Sequence, residues 1–272
     1  MKVKIFGERN TGTNLLRSLI HRNSGARCYP GTWPEFGARH TARLRQQLGG
    51  ASSPHEAEAL VDAFFRDQPT HLFWKHAFVD QGTGVEDGAV DLTVFLVRDP
   101  RSWLLSLYKN PHHLPTHGPE AGQSFNEFLG APVRTLGRER LGRAELTPPE
   151  LYQAKVSGYL RLHQRLRADG RRSAIIRFED LVTDQARTLA SLAAGPPGPG
   201  AFVPIERSTK DPDKTSGFYA DYYGRRLWVN ELPAADWQAI RPDGELCEAL
   251  GYPVDMQGTD GAQARHPTAK SL

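Results

Sequence analysis

VKIFGERNTGTNLL, residues Val3 to Leu16, runs from a short apolar strand into a glycine-bounded loop and on into a helix. Gly7 and Gly12 keep the G-x-x-x-x-G spacing of a phosphate-cradling loop, so the backbone N–H groups of Thr11, Gly12, Thr13 and Asn14 are expected to converge on an anion at the helix N-terminus. The nucleotide triphosphatase form of this loop needs Lys followed by Ser or Thr, where this chain has Thr13 and Asn14. The lysine that bridges the β- and γ-phosphates and the hydroxyl that ligates Mg²⁺ are both missing, which leaves a metal-free anion site as the expectation.

A second stretch repeats the pattern. In LTVFLVRDPRSWLLSLY, Leu92 to Tyr108, an apolar strand ends at Arg98 and a helix opens near Pro100, with Asp99 placed to cap it. Trp103, Leu104, Leu107 and Tyr108 recur at the intervals of an inward helical face, which leaves Arg98 and Ser106 for other work. Strands alternating with helices predict an α/β fold, a central mostly parallel sheet flanked by helices. Ligands in such sheets sit outside the carboxyl ends of the strands, so two turns of this kind address two parts of one bound nucleotide.

These residues resemble the sulfotransferase family, which uses 3′-phosphoadenosine 5′-phosphosulfate (PAPS) as donor, and the resemblance covers most of the chain. GERNTGTNLL looks like the family's 5′-phosphosulfate loop. VRDPRSWLLSLY is similar to its 3′-phosphate element, in which an Arg and a Ser are separated as Arg98 and Ser106 are. IRFEDL, Ile176 to Leu181, resembles a later strand commonly written with Tyr-Glu-Asp-Leu, and Tyr222 to Tyr252 is similar to the helical end that follows the cofactor loop. The family loop carries Lys two residues before its Gly; here Asn10 holds that place and Arg9 precedes it. Arg9 is therefore the expected source of the missing positive charge, because a guanidinium stays charged and forks onto two oxygens.

HLFWKHAF, His71 to Phe78, reads as another strand, with Lys75 and His76 at its polar end beside the expected sulfuryl position. Family members often carry a Lys and a His close together in this region, and here the two are adjacent. His76 is the candidate general base, since a neutral imidazole near its reference pKa can accept the acceptor's proton. Glu8 is the rival, although a carboxylate beside an anionic donor is repelled and is better placed to pair with Arg9 or a nearby Lys. Arg207 to Tyr223, RSTKDPDKTSGFYADYY, lacks periodicity and suits a flexible anion clamp in which Arg207, Lys210 and Lys214 hold the donor.

The rest of the chain sets limits. Its 272 residues can bury one full α/β core, so a single domain is expected over 1–256, followed by a disordered tail over 257–272. A net charge of +3 is weak support for nucleic-acid binding and suits a local anion site. Cys28 and Cys247 are too few for a disulfide framework, and no apolar run is long enough to span a membrane, so a cytoplasmic protein is expected. His113 and His117 have a metal-like spacing, but Pro111, Pro115 and Gly118 break helical geometry there, so a substrate-contacting loop around His112 to His117 is expected, with no metal. Helices are expected near 55–66, 125–129, 148–167 and 179–194, and a strand over 174–178.

Together these readings imply transfer of a sulfuryl group from PAPS to a hydroxyl or amine of a small molecule or carbohydrate. A nucleotide kinase-like phosphotransferase and a catalytically inactive nucleotide sensor are the alternatives. The acceptor carries no pattern in the sequence, nor does the oligomeric state.

Overall fold

β1 (Lys2–Gly7) enters α1 (Thr13–Asn23), and the chain returns to the sheet as the two-residue β2 (Arg27–Cys28) before α2 (Ala38–Gly49) and α3 (Pro54–Arg66). β3 (Leu92–Val97) leads into α4 (Pro100–Lys109), α5 (Phe125–Gly130) and the small hairpin of β4 (Val133–Arg134) and β5 (Glu145–Leu146). The long α6 (Pro148–Ala168) precedes β6 (Ser173–Arg177), α7 (Phe178–Thr183), α8 (Gln185–Leu192), α9 (Ser216–Gly224), α10 (Ala234–Ala239) and α11 (Gly244–Ala249). This computed structural model describes residues 1–80, 88–111, 122–192, 201–207 and 213–254. The loop of His112, His113 and His117, Lys210 of the expected anion clamp and the tail after Met256 lie outside the described residues.

The fold is α/β, with a four-stranded sheet in the order β2-β1-β3-β6, every neighbour parallel. Alternation along the strands sorts side chains onto two covered faces. Val3, Ile5, Leu92, Val94 and Leu96 pack with Leu16, Leu19 and Ile20 of α1, whereas Phe6, Phe95 and Val97 pack with Trp103 and Leu107 of α4 and Tyr159 and Leu162 of α6. A separate cluster of Phe36, Val61, Phe65, Trp74 and Leu136 lies under α2 and α3. From β1 the chain passes to β2 on one side and then to β3 on the other, so the order reverses between β1 and β3. That reversal opens a crevice at the strands' carboxyl ends.

Three expectations are corrected. His71 to Phe78 is no strand: a 3₁₀ turn (Thr70–Leu72) is followed by irregular backbone whose hydrogen bonds go to scattered partners, Lys75 N–H to Gly31, Gly7 N–H to Lys75 and Phe78 N–H to Glu139. Its apolar residues signal burial, and burial alone does not make a ladder. The helix expected over 179–194 is broken at Asp184, whose carboxylate accepts from the Arg187 N–H at 2.9 Å and starts a new helix. Arg207 to Tyr223 is not aperiodic, because its second half is α9, capped by Thr215 accepting from the Phe218 N–H at 3.2 Å.

Lys4 is buried within the sheet and donates to the carbonyls of Pro30 (2.8 Å) and Phe73 (2.6 Å), tying the segments after β2 and before His76 to β1. Burial pushes its ammonium down from 10.5 to about 7. Between those values the unfolded chain holds a proton that the folded chain has released, so this residue makes stability rise with pH across the window. Below it the burial penalty is complete. Urea denaturation at pH 7, 8 and 9 is expected to show wild type gaining on Lys4→Met by up to about 1.4 kcal/mol per pH unit. A difference that stays flat with pH would contradict this.

Candidate functional site

The Gly7–Gly12 loop sits at the crevice and is shaped by backbone geometry. Gly12 has φ 84 and Asn10 φ 61, left-handed values that only Gly adopts freely. A Cβ on Gly12 would also meet the Phe178 ring at 3.0 Å, and one on Gly7 would lie 2.8 Å from the Thr11 hydroxyl and 2.9 Å from Leu96. The N–H groups of Thr13 and Asn14 open α1, where the first turn has no intrahelical acceptors, and an anion there also meets the positive end of the helix dipole. Thr11 does a different job from the one expected. Its N–H (3.3 Å) and hydroxyl (2.6 Å) both return to the Glu8 carbonyl, closing the turn.

Arg9 also departs from expectation. Its guanidinium is buried between Glu8 (2.7 Å) and Glu139, while Lys155 of α6 reaches Glu8 and also Glu139 at 3.3 Å. These four charges balance one another with almost no exposure. Breaking such a pair strands a buried charge, so the cluster clamps the loop to α6 and to the segment carrying Glu139. The pairing of Glu8 with Arg9 and a lysine removes Glu8 from the bases open to the crevice. A signal for this lay in the sequence: Lys155 falls on the apolar stripe of α6, where a lysine needs a partner.

Lys75 meets the far end of the loop, its Nζ donating to Asn14 Oδ1 at the start of α1. Burial lowers its pKa, with Arg17 adding to the shift against the opposing pull of Glu35. Next to it, His76 is buried, and its Nδ1 lies 2.5 Å from the Gly7 carbonyl. A carbonyl can only accept, so Nδ1 carries the proton and Nε2 holds the lone pair of the neutral ring. Burial drives the imidazole well below its ordinary range, and the Lys75 and Arg9 charges push it the same way. The edge of the ring stands against Trp74 at 4.9 Å, and Arg9 (4.9 Å) and Arg138 (4.6 Å) lie over the Trp74 ring. Together these contacts restrict the imidazole's rotation.

At the end of β3, Arg98 donates from Nε to Ser102 (2.9 Å), from one terminal nitrogen to the Asn10 carbonyl (2.8 Å) and from the other to the Tyr223 hydroxyl (2.7 Å). It is packed between Phe178 (4.7 Å) and Tyr223 (5.0 Å). A guanidinium has five N–H donors, so two remain, one on each terminal nitrogen. The bond to Asn10 joins the two turns across the sheet's switch point.

One cavity of about 1020 Å³ runs through all of this. Arg9, Asn10, Gly12, Thr13, Asn14, Arg98, Ser106, Arg207 and Lys214 line it, as do Lys75 and His76. Beyond His76 its wall changes to Trp33, Pro34, Val61, Phe65 and Trp74, with Glu58 paired to Arg138 at 2.5 Å. The aromatic face of α9 was missed in the sequence, although Phe218, Tyr219, Tyr222 and Tyr223 have helical spacing. Their rings stack at 5.6 Å (Phe218 on Tyr222) and 6.2 Å (Tyr219 on Tyr223), and all four line the cavity. Among the described residues no helix is long and apolar enough to cross a membrane. No protein-family model matches the chain, and no curated protein matches it either.

Proposed function

We propose that this chain is a sulfotransferase that moves a sulfuryl group from PAPS to a hydroxyl or amine of a small molecule or carbohydrate. The observation that carries the reading is the single cavity that brings the first turn of α1, the Arg98–Ser106 pair and His76 onto one continuous wall. The donor, when bound, supplies the sulfuryl group and a 3′-phosphoadenosine 5′-phosphate leaving group.

The residues divide the work. The N–H groups of Thr13 and Asn14 and the Thr13 hydroxyl offer fixed donors to the transferred oxygens, and such preorganised dipoles stabilise charge without reorganising. Lys75 offsets the negative charge that grows on the departing phosphate. Arg98, with two donors left, and Ser106 bind the 3′-phosphate, and the α9 rings flank the nucleoside side of the cavity. His76 Nε2 takes the acceptor's proton as its oxygen or nitrogen bonds to sulfur.

Donor binding tests the reading first. Isothermal titration is expected to give a clear preference for 3′-phosphoadenosine 5′-phosphate over AMP, and Ser106→Ala is expected to weaken the former about tenfold while leaving AMP unchanged. Equal affinity for the two nucleotides would overturn the reading. Phosphate transfer that requires ATP and Mg²⁺ would replace it with the kinase alternative.

A further inference from the structure

A second cavity of about 570 Å³ lies between α3 and the β4–β5 hairpin. It shares Phe65 and Arg138 with the acceptor end of the main cavity, so the two adjoin along one wall. Its charged lining is unbalanced. Arg66, Arg138, Arg140 and Arg143 contribute to it, against the single carboxylate of Asp62. Asp62 is fully engaged, since it pairs with the Arg138 guanidinium at 2.8 Å and accepts from the N–H groups of Gly137 (2.7 Å) and Arg138 (3.3 Å). Among the described residues Arg66 and Arg140 pair with no carboxylate, and Arg143 has only an exposed Glu150 at 3.7 Å.

Arg140 is also held in place by its surroundings. Its backbone has φ 61, a left-handed conformation that costs a non-glycine residue about 1 kcal/mol, and its guanidinium lies 3.9 Å over the Phe73 ring. The side chain is thereby kept along the groove. Burial lowers its pKa, which an ionised partner would reverse. A cleft lined by one sign of charge concentrates counter-ions, and a guanidinium fork can hold two oxygens of a carboxylate or of a tetrahedral oxyanion.

We propose that this groove is an acceptor subsite for an oxyanion, so that the acceptor bears a carboxylate or sulfate, anchored by Arg66 and Arg140 while its hydroxyl faces His76, and anionic sugars are the probe for it. This rests on the sulfotransferase reading for the reaction, although the groove itself can be tested without it. The probes are 4-methylumbelliferyl glycosides of glucose, glucuronate, N-acetylglucosamine and N-acetylglucosamine 6-sulfate, followed by fluorescence anisotropy with and without 3′-phosphoadenosine 5′-phosphate. The two anionic sugars are expected to bind about tenfold or more tighter than their neutral partners at low salt, a gap that narrows as ionic strength rises. Whether the glucuronide or the sulfate ester shows the larger gap tells carboxylate from sulfate.

The double variant Arg66→Gln, Arg140→Gly is expected to erase the gap while keeping the melting temperature, because Gly adopts the φ of position 140 without strain. Nucleotide affinity should not change. Neutral and anionic sugars binding alike, no sugar binding at all, or a variant that keeps the gap would each overturn the subsite. Sugar discrimination without nucleotide binding would leave the subsite standing and remove the donor reading.

Discussion

His76→Asn is expected to lower kcat by about 10²–10⁴-fold while the protein keeps its thermal stability. The two outcomes separate because the imidazole has two jobs on two nitrogens. Nδ1 donates to the Gly7 carbonyl, and the asparagine amide can donate from nearly the same place. Nε2 carries the lone pair that would accept a proton, and asparagine has no equivalent. A purely structural histidine would therefore tolerate this substitution with turnover intact, which would end its candidacy as the base. The pH profile supplies a second readout. Because burial holds the imidazole well below its ordinary range, the acid limb of kcat/KM should fall below pH 6.5, with activity lost as pH drops and the ring gains its proton. A limb at or above the ordinary value would place the titrating group elsewhere.

Lys75→Met and Arg9→Met are expected to fail in different ways. Lys75 meets the loop from outside the core, so its loss should reduce kcat about 10²-fold or more with little change in unfolding free energy. Arg9 lies between two carboxylates, and removing it leaves Glu8 and Glu139 facing each other with only Lys155 to balance them. That variant should lose about 3–5 kcal/mol of stability in urea denaturation. Turnover per folded molecule is the measurement that matters. If Lys75→Met retains it and Arg9→Met loses it without unfolding, the positive charge at the leaving group belongs to Arg9 after all.

Much of the architecture was legible because it depends on local periodicity. The apolar runs of Val3 to Gly7 and Leu92 to Val97, the glycines at 7 and 12, Asp99 before Pro100 and the stripe of Leu151, Leu162 and Leu166 each register within a single turn or strand. The readings that failed lacked such a signal or misread it. Apolar density in His71 to Phe78 reports burial without saying what the backbone bonds to, and the scattered carbonyls of Gly31 and Trp74 decide that. In Arg207 to Tyr223 the basic residues suggest an aperiodic segment, whereas Phe218, Tyr219, Tyr222 and Tyr223 carry the helical spacing of α9.

By itself the sequence determined an α/β chain whose glycine-bounded loop lacks the lysine and the Mg²⁺-ligating hydroxyl of a triphosphatase, because loop spacing and the identities of Thr13 and Asn14 are local chemistry. Only the tertiary structure decided what each cation at that loop is bonded to. Arg9 and Lys75 both read as cations in the sequence, but Glu139 and Lys155 arrive from distant segments and draw Arg9 into a set of paired charges, while Lys75 bonds to Asn14. Burial made that choice, because a charge removed from water must find its partner wherever the fold brings one.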